Sequence, residues 1–206
     1  MARTAVGTGA DTTRVGAPPA RLRRPERRAA IIDGAARAFA RGGFAATSMA
    51  DVAAASGVTH LIVYRHFESK EALYEAVLER ALELLAVALS DTRAVGSHGP
   101  TPAALLGAAR ADRSVFEVLW RHATREPDFA RFADRARDQL RAVTETALAP
   151  HVVAEHLRWA VRATNAYVVE AVLVWVEDGD SRYDERFVAA TNAALKAGVR
   201  SWAKSS

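Results

Sequence analysis

Two glycine breaks within about fifteen residues leave the stretch before Phe67 little choice of architecture. Gly42-Gly43 closes one apolar-periodic segment, Ser56-Gly57 closes a second, and a third starts at once. In the first, Ile31, Ile32, Ala35 and Phe39 fall on one helical face, and glycine provides the left-handed residue with which helices commonly end. The second is short. Thr47 or Ser48 caps it, Asp51 stands three residues after Ser48 as in a capping box, and Met49, Val52 and Ala53 form an inner face. The third, Gly57–Phe67 (GVTHLIVYRHF), has no clean face as a strand. As a helix it turns Val58, Ile62, Val63 and Phe67 inward and leaves Thr59, His60, Leu61, Tyr64, Arg65 and His66 around the outside. Helix, tight turn, helix is the helix-turn-helix unit, whose second helix enters the DNA major groove while the first crosses the backbone.

The rest of the chain also reads as helical. Ser69 is the next cap, and Leu73, Val77, Leu78, Ala81, Leu82 and Leu85 carry a long helix to about Ser90. After a loop at residues 94–102, helical patterning covers 102–125 with a break near Gly107 or Ala111. Further helices run from Phe129 to Pro150, over 151–178 and over 184–203. The valine-rich Ala166–Val176 could be a strand in isolation, but Ala154–Val176 contains neither Gly nor Pro, and its length decides for helix. Being apolar nearly all round, that helix needs burial on more than one side. In the last helix Ala190, Ala194 and Gly198 form a stripe of small side chains that admits a second helix closely. The expected fold is all-α, with a tail over 1–20 that should be disordered, a helix-turn-helix domain over 21–67 and a helical domain over 68–206.

Charge separates the two ends. Residues 1–67 hold ten arginines against four acids, a net of +6, whereas residues 68–206 hold 18 basic and 20 acidic side chains, a net of −2. A basic segment on a nearly neutral body points to a polyanionic partner. The chain has no cysteine, which removes disulfides, thiolate metal sites and thiol nucleophiles and fits a reducing compartment. No run approaches the roughly 18 apolar residues of a membrane helix, so no membrane partner is expected, and a cytoplasmic location is.

The segment Arg27–Leu78 (RRAAIIDGAARAFARGGFAATSMADVAAASGVTHLIVYRHFESKEALYEAVL) resembles the DNA-binding module of tetracycline-repressor-like (TetR family) regulators. The isoleucine-rich helix, GGF, TSMADVAAASGV, YRHF and SKEAL stand in the family's order. The resemblance implies a homodimer paired through its two C-terminal helices, binding a double-stranded operator and released by a small effector. Carried over by position, Thr59, His60, Leu61, Tyr64, Arg65 and His66 would face DNA, with base reading at His60, Leu61 and Arg65 and phosphate contact at Tyr64 and His66. Thr47 and Ser48 would hold a phosphate at a helix start, and Lys70 another. One departure is Leu61, where members frequently carry a small residue; it would offer an apolar contact to a thymine methyl.

Other readings stay beside this one. His151 and Glu155, four apart on a helix, could be metal ligands, but HVVAEH is not a zinc-enzyme spacing, and no metal or cofactor is expected. Neither a phosphate-binding glycine loop nor a nucleophile elbow occurs, so catalytic residues and enzyme activity are not expected. Trp120, Trp159 and Tyr167 are the candidate effector-pocket residues, although for any one of them alone a place in the core is the commoner role. A helical ligand-sequestering protein with a non-functional DNA head is the alternative reading.

Overall fold

In the computed structural model, residues 23–94 and 102–202 are described; the expected tail over 1–20 and most of the loop at 94–102 lie outside the described residues. Within those bounds the chain folds into helices joined by short turns, with no strand. Helix α1 (Arg24–Ala46) buries Ile31, Ile32, Ala35 and Phe39. Gly43 interrupts it at φ 70°, a backbone state that a side-chain-bearing residue adopts only under strain. Helix α2 (Met49–Ser56) is closed at its start by the expected box: Asp51 N–H donates to Ser48 Oγ (3.1 Å), and Ser48 N–H donates to Asp51 Oδ2 (2.9 Å). It ends on Gly57 at φ 65°, where the N–H of Val58 reaches Ala53 O and that of Gly57 reaches Ala54 O, the paired bonds of a Schellman motif. Helix α3 (His60–His66) follows after Thr59.

Helix α4 (Lys70–Ala94) is the spine. Its buried Leu73, Tyr74, Val77, Leu78, Ala81, Leu82 and Leu85 belong to a core that runs without interruption from α1 into the later helices. Helices α5 (Pro102–Ala111) and α6 (Arg113–Glu117) are separate because Asp112 caps α6, accepting from Val115 N–H. Of the two expected break points, Ala111 is therefore the real one. After α6 the chain widens into a π-helical turn (Val118–His122) and two 3-10 turns. Helices α7 (Ala130–Leu148), α8 (Ala154–Asp178) and α9 (Asp184–Trp202) complete the bundle. A smaller apolar cluster of Leu148, Val152, Ala160 and Val161, flanked by Leu157, Val199 and Trp202, closes the end where α7 hands over to α8.

The strand alternative for Ala166–Val176 is resolved for helix, and Val168, Val172 and Val176 are buried. The second face of α8 is not covered within one chain: Tyr167 and Val174 are 44% and 46% exposed. Helix α9 is more open still, with Thr191 its only buried residue among those described.

A candidate nucleic-acid interface and a groove in the body

The turn at Gly57 throws α3 across the end of α2 and fixes which of its sides is anchored. Val63 and Phe67 are buried and Val58 and Ile62 pack against the core, so the opposite side has to face outward. Thr59, His60, Leu61, Tyr64 and Arg65 are exposed there, Leu61 at 63%. Burying Leu61 instead would be worth about 1.5–3 kcal/mol, so its exposure is unexplained by the fold of the isolated chain. The His60 and Tyr64 rings meet edge-on at 4.7 Å, which orders two polar edges on one outer surface. Arg65 has no acidic partner among the described residues and is a cation available to an external anion.

His66 is half-buried at the end of α3. Its burial, followed by the charges of Arg24, Arg27 and Arg28, holds its imidazole below the ordinary histidine range. Those arginines come from the start of α1, and Arg28 also lies over the Phe67 ring at 4.8 Å. The start of α1 and the end of α3 thereby build one basic patch beside the exposed face. Arg24, Arg27 and Arg28 are among the ten arginines of residues 1–67, but their proximity to α3 is a property of the fold.

Three residues expected at phosphate, Thr47, Ser48 and Lys70, also have partners within the chain. Thr47 is buried; its hydroxyl lies 2.7 Å from Gly43 O and 3.3 Å from Ala38 O and donates back into the end of α1. Ser48 is at the surface, yet its N–H and hydroxyl both donate to Asp51 Oδ2, which sets a carboxylate at the helix start. Lys70 turns inward: its Nζ donates to Phe44 O (2.9 Å) and Thr47 O (3.1 Å) and sits 4.2 Å from the Phe44 ring centre. Phe44 stands in the last turn of α1 and Thr47 just beyond it, where carbonyls lack an intrahelical donor. Lys70→Ala should therefore lower stability by about 1–3 kcal/mol, the cost of stranding half-buried acceptors. Thermal unfolding will read it. A lysine that served only DNA would leave the melting temperature unchanged.

The first three helices are tied to the body at three places. Phe129 packs into an aromatic cluster with Phe44 (4.8 Å) and Tyr74 (4.7 Å), and Tyr74 meets Phe39 at 4.8 Å. Burial, aided by the charge of Glu126, pushes the Tyr74 phenol well above its usual range. Arg80 on α4 bridges Asp33 of α1 and Asp112 at the cap of α6. His122, closing the π-helical turn, places Nε2 3.0 Å from Ala40 O of α1.

Two residues before His122, Trp120 lines a groove of about 1030 Å³ between α7 and α8. Trp159, Leu140, Val161, Ala166 and Val169 supply its apolar walls, and Arg137, Arg141, Arg158 and Arg162 its basic ones. The buried Trp120 Nε1–H has no partner among the described residues. Of the candidate pocket residues, Trp120 and Trp159 share this groove. Tyr167 does not; it lies on another side of α8, in a shallower apolar groove with Ala171, Val174, Trp175 and Phe187. His151 and Glu155 gather no third ligand, as no cluster of metal-binding side chains occurs among the described residues. No helix among them is long and apolar enough to cross a membrane.

Residues 31–77 match the family described as bacterial regulatory proteins, tetR family. The HTH-type transcriptional repressor Rv3405c of Mycobacterium tuberculosis is 43% identical over 83 residues, 37% of this chain and 44% of that protein. The HTH-type transcriptional regulator TtgR of Pseudomonas putida is 46% identical over 54 residues, 26% of each. The match thus spans less than half the length of these curated relatives. Among solved structures, a TetR-like transcriptional regulator from Rhodococcus sp. RHA1 agrees with a TM-score of 0.71 at 21% identity, over 87% of this chain and 98% of that one. The transcriptional regulator FadR of Bacillus subtilis, solved with stearoyl-CoA, agrees at 0.61 and 18% identity, over 83% and 97%. At these identities the likeness is one of fold.

Proposed function

The chain belongs to the tetR family of bacterial regulatory proteins, and from that premise we propose a transcriptional regulator that grips a palindromic operator as a homodimer and lets go when a small effector binds. The carrying observation is the outward side of α3, where Thr59, His60, Leu61, Tyr64 and Arg65 stand exposed beside the basic patch of Arg24, Arg27 and Arg28. Such a side supplies donors for base edges and an apolar group for a thymine methyl, which major-groove reading requires. Cations beside it suit flanking phosphates. We assign base contact to His60, Leu61 and Arg65, and backbone contact to Thr59, Tyr64 and His66. Repression is proposed on the similarity to a repressor.

Dimerisation is assigned to α8 and α9, whose exposed Tyr167, Val174, Ala190 and Ala194 make an apolar, small-residue surface suited to helix-on-helix packing. Two heads then present two copies of α3, with half-sites about 34–36 Å apart or a multiple of a turn. The groove holding Trp120 is assigned to the effector, a reading supported by a protein of similar fold, FadR of Bacillus subtilis, having been solved in complex with stearoyl-CoA. Release requires the effector to favour the head spacing that cannot bind DNA. A route is at hand: Trp120 in the groove and His122 against Ala40 share one π-helical turn, so displacing the indole pulls on α1. A cytoplasmic location follows from this reading, and no catalytic step is assigned to any residue.

The test is fluorescence anisotropy of the purified protein on DNA from either side of its gene. We expect specific binding whose affinity falls about a hundredfold or more between 50 and 200 mM salt, as phosphate neutralisation dictates. Binding to no flanking fragment at low salt, with Arg65→Ala equally inert, would leave a ligand-sequestering protein instead.

A further inference from the structure

The four arginines of the groove are not equivalent. On α7, Arg137 is engaged by Asp134 at 2.8 Å, and Arg141 by Asp138 at 3.2 Å and Glu145 at 3.6 Å. On α8, Arg158 and Arg162 have no acidic partner among the described residues. They lie one helical turn apart, so their guanidinium groups point to the same side of α8. The nearest acid on that helix, Glu155, has its carboxylate 3.8 Å from His156 Nε2. The groove's other unpaired charge, Glu170, lies two turns beyond Arg162, roughly 12 Å along the helix axis. Beside Asn165, Ala166 and Val169 on α8, Leu140 on α7 and Trp120 give the groove an apolar stretch, with Trp159 beside the arginines. The groove therefore pairs two exposed guanidiniums that have no acidic partner with an apolar stretch of wall.

We propose that this groove takes an amphipathic anion: a molecule with one carboxylate or phosphate head and an unbranched or aromatic apolar body. Arg158 and Arg162 hold the head, and the body lies along Ala166, Val169, Leu140 and Trp120. A neutral apolar molecule would leave two guanidiniums unpaired at the rim, and a cation would meet them head-on. The assignment rests on the regulator reading only in taking this occupant for the effector.

Isothermal titration calorimetry on the full-length protein with dodecanoate, dodecyl phosphate and dodecan-1-ol, each below its micellar concentration, tests it. At least one anion should bind ten times tighter than the alcohol; which one it is identifies the head group. The double variant R158Q/R162Q, which alters only exposed side chains, should bring that anion to within about twofold of the alcohol and leave alcohol binding unchanged. Ala166→Leu, which fills the trough, should weaken all three. Alcohol binding equal to that of both anions, no effect of R158Q/R162Q, or unaltered binding in Ala166→Leu would each overturn the assignment. Anion binding by a protein that binds no DNA would uphold the groove and refute the regulator.

Discussion

Replacing Gly34 with alanine is expected to cost about 1–3 kcal/mol and to eliminate DNA binding at temperatures where most of the body is still folded. A Cβ at Gly34 would stand 2.1 Å from Ser56 Oγ and 2.7 Å from Ser56 Cα. The first clash could be relieved by rotating a side chain, but the second is with backbone. Ser56 is also held in place, because its hydroxyl lies 2.7 Å from Val52 O and donates to it. Helix α2 would have to retreat from α1, and α2 carries Gly57 and the start of α3 with it. Alanine gains up to about 1 kcal/mol over glycine in a helix interior, which offsets only part of the loss. Gly107→Ala is the matched control. Its Cβ would meet nothing within 4 Å, so it should stabilise by about 0.4–1 kcal/mol. Thermal unfolding of the pair, read beside DNA affinity, checks both. Equal and small effects would show that α1 and α2 do not need their close approach.

Arg65→Ala is expected to weaken operator binding by about 1–3 kcal/mol per half-site without changing the melting temperature. The guanidinium is exposed and unpaired in the free chain, so nothing in the fold loses a partner when it goes. Leu61→Ala should differ in kind. It removes an exposed apolar group, should leave non-specific binding and its salt dependence intact, and should relax preference at one base step. Anisotropy on operator and scrambled DNA separates the two: Arg65→Ala lowers affinity for the operator most, whereas Leu61→Ala narrows the gap between operator variants. A fall in stability in either variant would mean that the residue supports the fold.

Much of the first three helices was legible because local chemistry and tertiary packing agree there. Ser48 and Asp51 close α2, Gly43 and Gly57 take positive φ, and Val63 and Phe67 turn in. Length alone recovered α8 from a valine-rich stretch that could have been a strand. The inward bonds of Thr47 and Lys70 were not legible: carbonyls at the end of α1 need donors, and only the folded chain brings these two side chains close enough to serve. Gly34 lets α2 come close to α1 at Ser56, an approach that no local pattern marks. His122 pairs with a carbonyl 82 positions away, which no local pattern can reveal. Tyr167 was grouped with Trp120 and Trp159 as an aromatic of the middle helices, but it lies on a different side of α8. Which side that is depends on where α7 and α9 pack.

The central claim is that α3, presented twice by a symmetric dimer, reads DNA sequence. Selection of binding sites by the full-length protein from a pool of random duplexes tests it most directly. One enriched motif is expected, with two inverted half-sites a helical turn or a whole multiple of a turn apart, and a change at matching positions in both halves for Leu61→Ala. Enrichment of no motif, or of a motif without inverted symmetry that Leu61→Ala and Arg65→Ala leave untouched, would contradict it.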